Sequence, residues 1–332
     1  MPETVKQGEI ASPEKERTTF AAFVKSHIFD LTAYAGLIVM LVLFIIFNKG
    51  PRLLYNFSSV IQAAAVYSIL SLGAVFIYSM GYMDISLGAQ IGVYCLLLIL
   101  ITNASGSLVL GFCSILAIAI VCGLINGFVS VKLGLPSIVT SIFLNAVFGG
   151  AQMLIMEKLG TNSISMNTKL KFFKQMPVML TAIILIAVIA VFLYQFTQLG
   201  KLTKGIGANE TATSISGVNT TKWKVLAYVF FGFCIAVGAL FLTARTNSAG
   251  KGTGAGYAMD IMVSLLLGGM PLSGGMRSKI SAALVGAFTY VILANGLILS
   301  GVSTTLIYII KAMVFMAVIL MTCRKPNGVL PR

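Results

Sequence analysis

The sequence predicts an all-α membrane protein: a polytopic transmembrane helical bundle of about ten spans that includes broken or half helices. Three observations predict it. Hydrophobic residues make up 58% of the 332 and charged residues only 10%, against roughly 45–50% and about 25% in soluble globular chains, and the mean hydropathy is +0.98. The apolar residues fall into ten runs, most of them near the roughly 20 residues that a bilayer-spanning helix requires. The 33 glycines suit helices that pack in lipid, where small residues let backbones approach closely.

Residues 1–30 form a polar tail of mixed charge, with Glu3, Glu9, Glu14 and Glu16 among Lys6, Lys15 and Arg17. No short apolar stretch with a small-residue cleavage site follows a basic start, so no removable signal peptide is expected. The first run, about 31–47, is read as an anchor that stays in the membrane. Further runs follow at about 59–79, 85–102, 108–131, 137–156, 177–196, 225–243, 257–270, 280–299 and 305–323. The membrane domain therefore covers 31–323, with a polar loop at 200–224, and residues 324–332 form a short tail. The run at 257–270 is too short to cross alone, and 79–88 is rich in glycine and polar residues. Irregular backbone is tolerated at membrane depth only where it is buried in protein or lines a cavity, so both places are expected in the protein interior.

Orientation follows from Lys and Arg, which collect in cytoplasmic loops. With the N-terminus inside, the cytoplasmic segments carry fourteen and the external ones eight, while Lys311 lies within the last span. Both termini are therefore expected on the cytoplasmic side of the membrane. The net charge of +14 is spread between apolar runs rather than gathered in a patch. It fits anionic lipid headgroups and argues against nucleic acid as a partner.

Several chemistries find no support. Cys95, Cys113, Cys122, Cys234 and Cys323 lie in or at the ends of apolar runs without metal-ligand spacing, and free cysteine packs as a small hydrophobe. The only histidine, His27, precedes the first span, so no buried nucleophile–base pair can use it. No catalytic residue, metal site or bound cofactor is expected. A phosphate-cradling G-x-x-x-x-G-K-[ST] loop is absent; the nearest cluster, Gly250, Gly252, Gly254 and Gly256 around Lys251, reads as a flexible external loop. If ATP drives this protein, ATP and Mg²⁺ sit on another chain.

Among the nine acidic residues, Asp84 and Asp260 lie at or within membrane runs, where charged groups are costly and are functional candidates by default. Asp84 precedes Ile85–Gly88 as a helix N-cap would, and direct contact with a solute is its alternative; the same two roles stand open for Asp260. Gln62, Tyr67, Asn126, Asn145 and Asn295 are the other polar residues within spans, each either an interhelical hydrogen bond or part of a pathway. The polar stretch Gly205–Asn219, followed by Lys222-Trp223-Lys224, predicts a short amphipathic helix ended near Gly217. Its small residues Ala208, Ala212 and Ser214 would let another surface dock closely.

This last stretch resembles the G-x-N-x-x-A-A-x-x-S-G-I loop of permeases in the ribose and related sugar ABC importer family, with Thr211 in place of one alanine. Four other stretches match in order: Gly81–Gly88, with Tyr82 at a glycine position; Gly123–Gly127 followed by 135–140; Gly256–Asp260 followed by Gly268, Gly269, Gly274 and Gly275; and Asn295-Gly296-Leu297. The resemblance covers about 55–300. It implies a ten-helix, multi-pass permease subunit of the bacterial cytoplasmic (inner) membrane that pairs with a second copy or a related permease. It also implies ABC ATPase subunits and an extracytoplasmic solute-binding protein as partners. ATPase coupling would fall on Gly207, Asn209, Glu210, Ala212, Ser216 and Gly217, the pathway or its half-helices on Asp84, Asn126, Asn145, Asp260 and Asn295, and structural turns on the four glycines 268, 269, 274 and 275. The resemblance implies transport of a small polar solute, with a sugar such as ribose expected. The competing class is a stand-alone ion-coupled secondary transporter that uses Asp84 and Asp260 as a relay, since broken helices are typical of such folds.

Overall fold

A computed structural model describes residues 33–42, 44–46, 52–132, 136–168, 170–299 and 301–323. The two tails, His27 and Leu135 lie outside the described residues. The expected runs return as helices: α1 (Ala33–Ile46), then α2 (Arg52–Ser79), α3 (Leu87–Ser105), α4 (Leu108–Lys132), α5 (Ser137–Lys158), the short α6 (Lys171–Lys174), and α7 (Met176–Val191), which closes in a π turn at Phe192–Phe196. After them come α8 (Gln198–Ala208), α9 (Glu210–Ile215), α10 (Thr220–Thr246), α11 (Tyr257–Leu267), α12 (Ser281–Leu299) and α13 (Thr304–Cys323). Among the described residues seven helices are long and apolar enough to cross a membrane, and α1, α11 and part of α13 are shorter apolar helices.

Burial sorts these helices into a centre and a jacket. The membrane window of α2 is 89% buried and that of α10 78%, whereas α4, α5 and α7 bury 22% or less. The jacket exposes Leu124, Phe128, Phe143, Val147, Leu185 and Val188, as lipid-facing surfaces do when hydrocarbon replaces a core. Glycines set how closely the centre packs. Gly123 and Gly127, four apart on one face of α4, lie against Tyr228 and Val225 of α10, and Gly232 of α10 faces Ala119. Small residues at that spacing let helix backbones touch where lipid supplies no hydrophobic drive between them.

Two breaks position the site. Residues 80–86 run as irregular backbone between α2 and α3, as expected. The second is Gly250–Gly256, expected as a flexible external loop; Lys251, Gly252, Ala255 and Gly256 are exposed, while Gly254 is buried against the bundle. The segment starts at a two-stranded antiparallel sheet, β1 (Ser163–Ser165) with β2 (Ser248–Gly250), paired Ser163↔Gly250. These strands are an addition to the all-α expectation, each only three residues long. The chain then descends along α3 until Gly254 packs on Gly88 and Gly92. The carbonyls exposed on the way are met by Gln152 of α5, whose Nε2 donates to Gly250 (2.7 Å) and Thr253 (3.2 Å). At its end Tyr257 stacks on Tyr67 with ring centroids 5.0 Å apart, twelve residues or about 18 Å before the end of α2. Helix α11 thus begins inside the bundle.

Helices α2, α8 and the turn after α11 meet at the opposite end through backbone. Gly275 N donates to Ser79 O at 2.8 Å, Gly274 and Gly275 adopt φ +65° and +87°, and a Cβ on Gly207 would run into Ser79 O and Gly275 N. Nearby, Gly268 lies against Ala282 and Gly286 against Ser264, so α11 and α12 also cross at backbone distance.

The single helix expected over Gly205–Gly217 is instead two. Asn209 leaves helical space (φ −163°, ψ 105°), ending α8, and its side chain accepts from Ala212 N at 2.9 Å to cap α9. The sequence carried both a helix and its interruption in one asparagine, because Asn competes for backbone donors and favours caps over helix interiors. Gly217 takes φ +83° just past the end of α9, as expected of a C-terminal glycine.

Two substitutions test this packing. Gly207→Ala forces backbone apart and is expected to cost about 1–3 kcal/mol, the usual scale of overpacking. Gly149→Ala on α5, where a Cβ meets nothing within 4 Å, is expected to stabilise by about 0.5–1 kcal/mol through helix propensity. Thermal unfolding of the detergent-solubilised protein should move down for the first and hold or rise for the second.

Candidate solute pathway and coupling surface

Asp84 sits at the foot of a buried polar chain. Its Oδ1 accepts from Ser86 N (2.7 Å) and from the Ser86 hydroxyl, and its Oδ2 accepts from Asn126 Nδ2 of α4 at 2.8 Å. Gln90 Nε2 donates to Ser86 Oγ (2.7 Å), Tyr94 OH to Gln90 Oε1 (3.2 Å), and Ser130 Oγ to Asn126 Oδ1 (3.2 Å). Every donor along both arms points toward the carboxylate. This is the capping role expected of Asp84: its carboxylate accepts a backbone amide at the start of α3, where Ser86 is already helical and makes no side-chain cap of its own. It also ties the break to α4 through Asn126. Asn126 is therefore an interhelical bracket. Gln90, Tyr94 and Ser130 were not singled out from the sequence, although Ser86, Gln90 and Tyr94 recur every four residues, the spacing of one helix face.

Asp260 belongs to a second cluster. In the first turn of α11, its Oδ2 accepts from Tyr67 OH at 2.9 Å, and Lys311 Nζ of α13 lies 3.3 Å from its Oδ1. The ammonium is also 5.0 Å from the Tyr290 ring and 5.8 Å from that of Tyr308. A carboxylate and an ammonium, each only 18% exposed, are paired where an isolated charge would be expensive. Lys311 is the partner that the sequence reading left out; the only basic residue inside a span was the available signal. Among the described residues no hydrogen bond joins the Asp84 and Asp260 networks.

The other candidates stand apart. Asn295 Nδ2 donates to Val291 O of its own helix (2.9 Å), Gln62 reaches Lys174 O at 3.4 Å, and Asn145 lies half-buried on α5. Between the two clusters opens a cleft of about 170 Å³ lined by Met83, Asp84, Ile85, Ile138, Met259 and Phe315 among others. The first break and helix α11 both contribute to it, and its walls are mostly apolar.

Helix α9 projects from the α8 end of the bundle, and none of its residues is buried. Ile215 is 81% exposed. Glu210 ties α9 down through an ion pair to Lys224 of α10 and a 3.4 Å hydrogen bond from Tyr82 OH. Of the residues expected to couple, Gly207 is in the backbone junction with Ser79, Asn209 is the cap, Ala212 and Ser216 close the helix (Ser216 Oγ to Ala212 O, 2.9 Å), and Gly217 ends it. Cys95 and Cys234 are buried and Cys122 partly so, whereas Cys113 is exposed on α4, where packing inside the chain does not explain it.

A helical membrane bundle whose first break and half helix α11 line a common cleft, with an exposed short helix at one end, has the construction of a membrane transport permease. The chain belongs to the family of branched-chain amino acid transport system permease components, whose pattern it matches over residues 56–319. It is similar to the ribose import permease protein of Bacillus subtilis (29% identity; 89% of this chain, 93% of the relative) and to that of Escherichia coli K12 (24%; 91% and 96%). It is also similar to the galactofuranose transporter permease protein of Escherichia coli K12 (27%; 83% and 82%). No solved structure matches this chain.

Removing one member of the intramembrane ion pair leaves the other without its charge partner, which for a buried pair costs about 3–5 kcal/mol. Lys311→Met and Asp260→Asn are each expected to lower the unfolding temperature in detergent. The Asp260→Asn/Lys311→Met double variant should recover most of the loss, giving a coupling energy in a double-mutant cycle that two independent sites would not show.

Proposed function

We propose that this chain is the membrane-spanning subunit of an ABC importer, carrying a small polar solute, a sugar such as ribose, while a separate chain hydrolyses ATP. The observation that carries the reading is α9, a short helix capped by Asn209 and anchored to the bundle by Glu210, its surface left uncovered by the other described residues. Such an exposed, anchored projection suits docking of another protein. Similarity over more than four-fifths of the chain to permeases named for ribose and galactofuranose supports the sugar class. The orientation that follows puts α9 and both termini in the cytoplasm, the side favoured by Lys and Arg. An extracytoplasmic binding protein then delivers solute to the end that carries β1 and β2. Two permease subunits, identical or related, would enclose the path, each adding its cleft to one wall.

With affinity delegated to a binding protein, an apolar cleft with few polar groups is adequate: the path needs to let solute through rather than hold it. ATP drives the cycle by favouring one of two states, which requires contacts that differ between them. The test is affinity purification of the tagged chain from its native membrane, alongside a variant in which Gly207–Gly217 is replaced by a Gly/Ser linker. An ATPase chain and ATP hydrolysis are expected with the intact protein and lost with the replaced loop. A chain that purifies alone and moves sugar into vesicles without ATP refutes the reading and returns attention to Asp84 and Asp260.

A further inference from the structure

We propose that Tyr82 and Lys224 form the mechanical link between helix α9 and the cleft, with Tyr82 the positioning residue through which motion of α9 reaches the pathway wall. The inference rests on the importer reading of α9. Its basis is a triangle drawn from three elements. Glu210 of α9 binds the Lys224 ammonium of α10 through Oε1 and accepts from Tyr82 OH of the broken segment through Oε2, and Lys224 Nζ lies 5.1 Å from the Tyr82 ring. Lys224 is 3% exposed, whereas the Glu210 side chain is 46% exposed. The triangle thus has one foot inside the bundle and one on the surface where a partner would dock.

The remaining polar bonds of α9 side chains stay local. Thr213 and Ser216 donate to carbonyls of Asn209 and Ala212, and Asn209 caps its own helix. Among the described residues, Glu210 is the side chain of α9 that hydrogen-bonds outside 209–217. A displacement of α9 has three ways inward: along the backbone of α8, which the Gly207–Ser79–Gly275 junction pins to the end of α2, along the backbone into α10, or through Glu210. The last route has little slack. Met83 and Asp84, the two residues after Tyr82, both line the cleft. Met83 N is held by Ser137 Oγ of α5 (3.3 Å) and Asp84 by Asn126 of α4. Pulling Tyr82 therefore strains a wall already anchored to two helices, the kind of packed and hydrogen-bonded chain that carries coupling between sites.

The test uses the assembly purified with its ATPase and reads the cleft without needing the solute. Met259, half-exposed on the facing wall of the cleft, is replaced by cysteine in a Cys113→Ser background. Maleimide labelling is then timed with and without ATP plus vanadate, and ATP hydrolysis is measured in parallel. The link predicts that nucleotide changes the labelling rate about five-fold or more, the lower range of ordinary site-to-site coupling. Tyr82→Phe and Lys224→Met should each bring that ratio toward one while hydrolysis continues, and Lys224→Arg should keep it. A purely structural role for Tyr82 would leave the ratio intact. If Tyr82→Phe and Lys224→Met keep the nucleotide response, the link is wrong and the importer reading stands. If no ATPase accompanies the unaltered chain, or its cleft ignores nucleotide, both fall.

Discussion

Hydrocarbon offers no hydrogen bonds, so every backbone group at membrane depth needs a partner inside the protein, and most of this architecture answers to that demand. Continuous helices satisfy it by themselves. The two breaks do not, and each acquires a dedicated donor or acceptor. Asp84 takes up the amide of Ser86, Ser137 takes up that of Met83, and Gln152 covers the carbonyls of Gly250 and Thr253. The β1–β2 pair does the same for the start of the Gly250–Gly256 segment. Irregular backbone can then sit beside an internal cleft at an acceptable energetic cost.

The same demand explains why the polar side chains cluster. Asp84 is useful to the break only if it stays fixed, and Asn126 and Ser86 fix it. Asp260 begins a helix inside the bundle, where Lys311 and Tyr67 meet its charge. The two aspartates look alike in sequence, yet one organises a turn and the other joins three helices. That division weakens a relay between them and suits a protein whose driving energy arrives from outside the chain.

Much of this was legible from residue order. Run lengths gave the spans, the shortness of 257–270 gave the half helix, and the polar, glycine-rich 79–88 gave the first break. Asp84, Asn126 and Asp260 stood out as polar residues in apolar surroundings. What stayed hidden depends on residues far apart in the chain: Ser163 with Gly250, Gln152 with Thr253, Lys311 with Asp260. Glycine-rich Gly250–Gly256 looked pliant because local propensity cannot show that its carbonyls are claimed by α5. Asn209 looked like one polar residue within a helix, since a cap and a helical position differ only in the backbone angles around it.

The deep burial of α2 also bears on how the protein is made. Helix α2 leaves the ribosome among the first spans, yet the surfaces that cover it, on α7, α10, α11 and α12, are translated later. Until they arrive, Ser68, Ser71 and Tyr67 face lipid or an insertion machinery rather than their final neighbours. Biogenesis thus has a waiting period built into the order of the gene. The apolar jacket helices α4 and α5 can settle in the bilayer at once, while the centre of the subunit closes only after α10 and α12 have been threaded through.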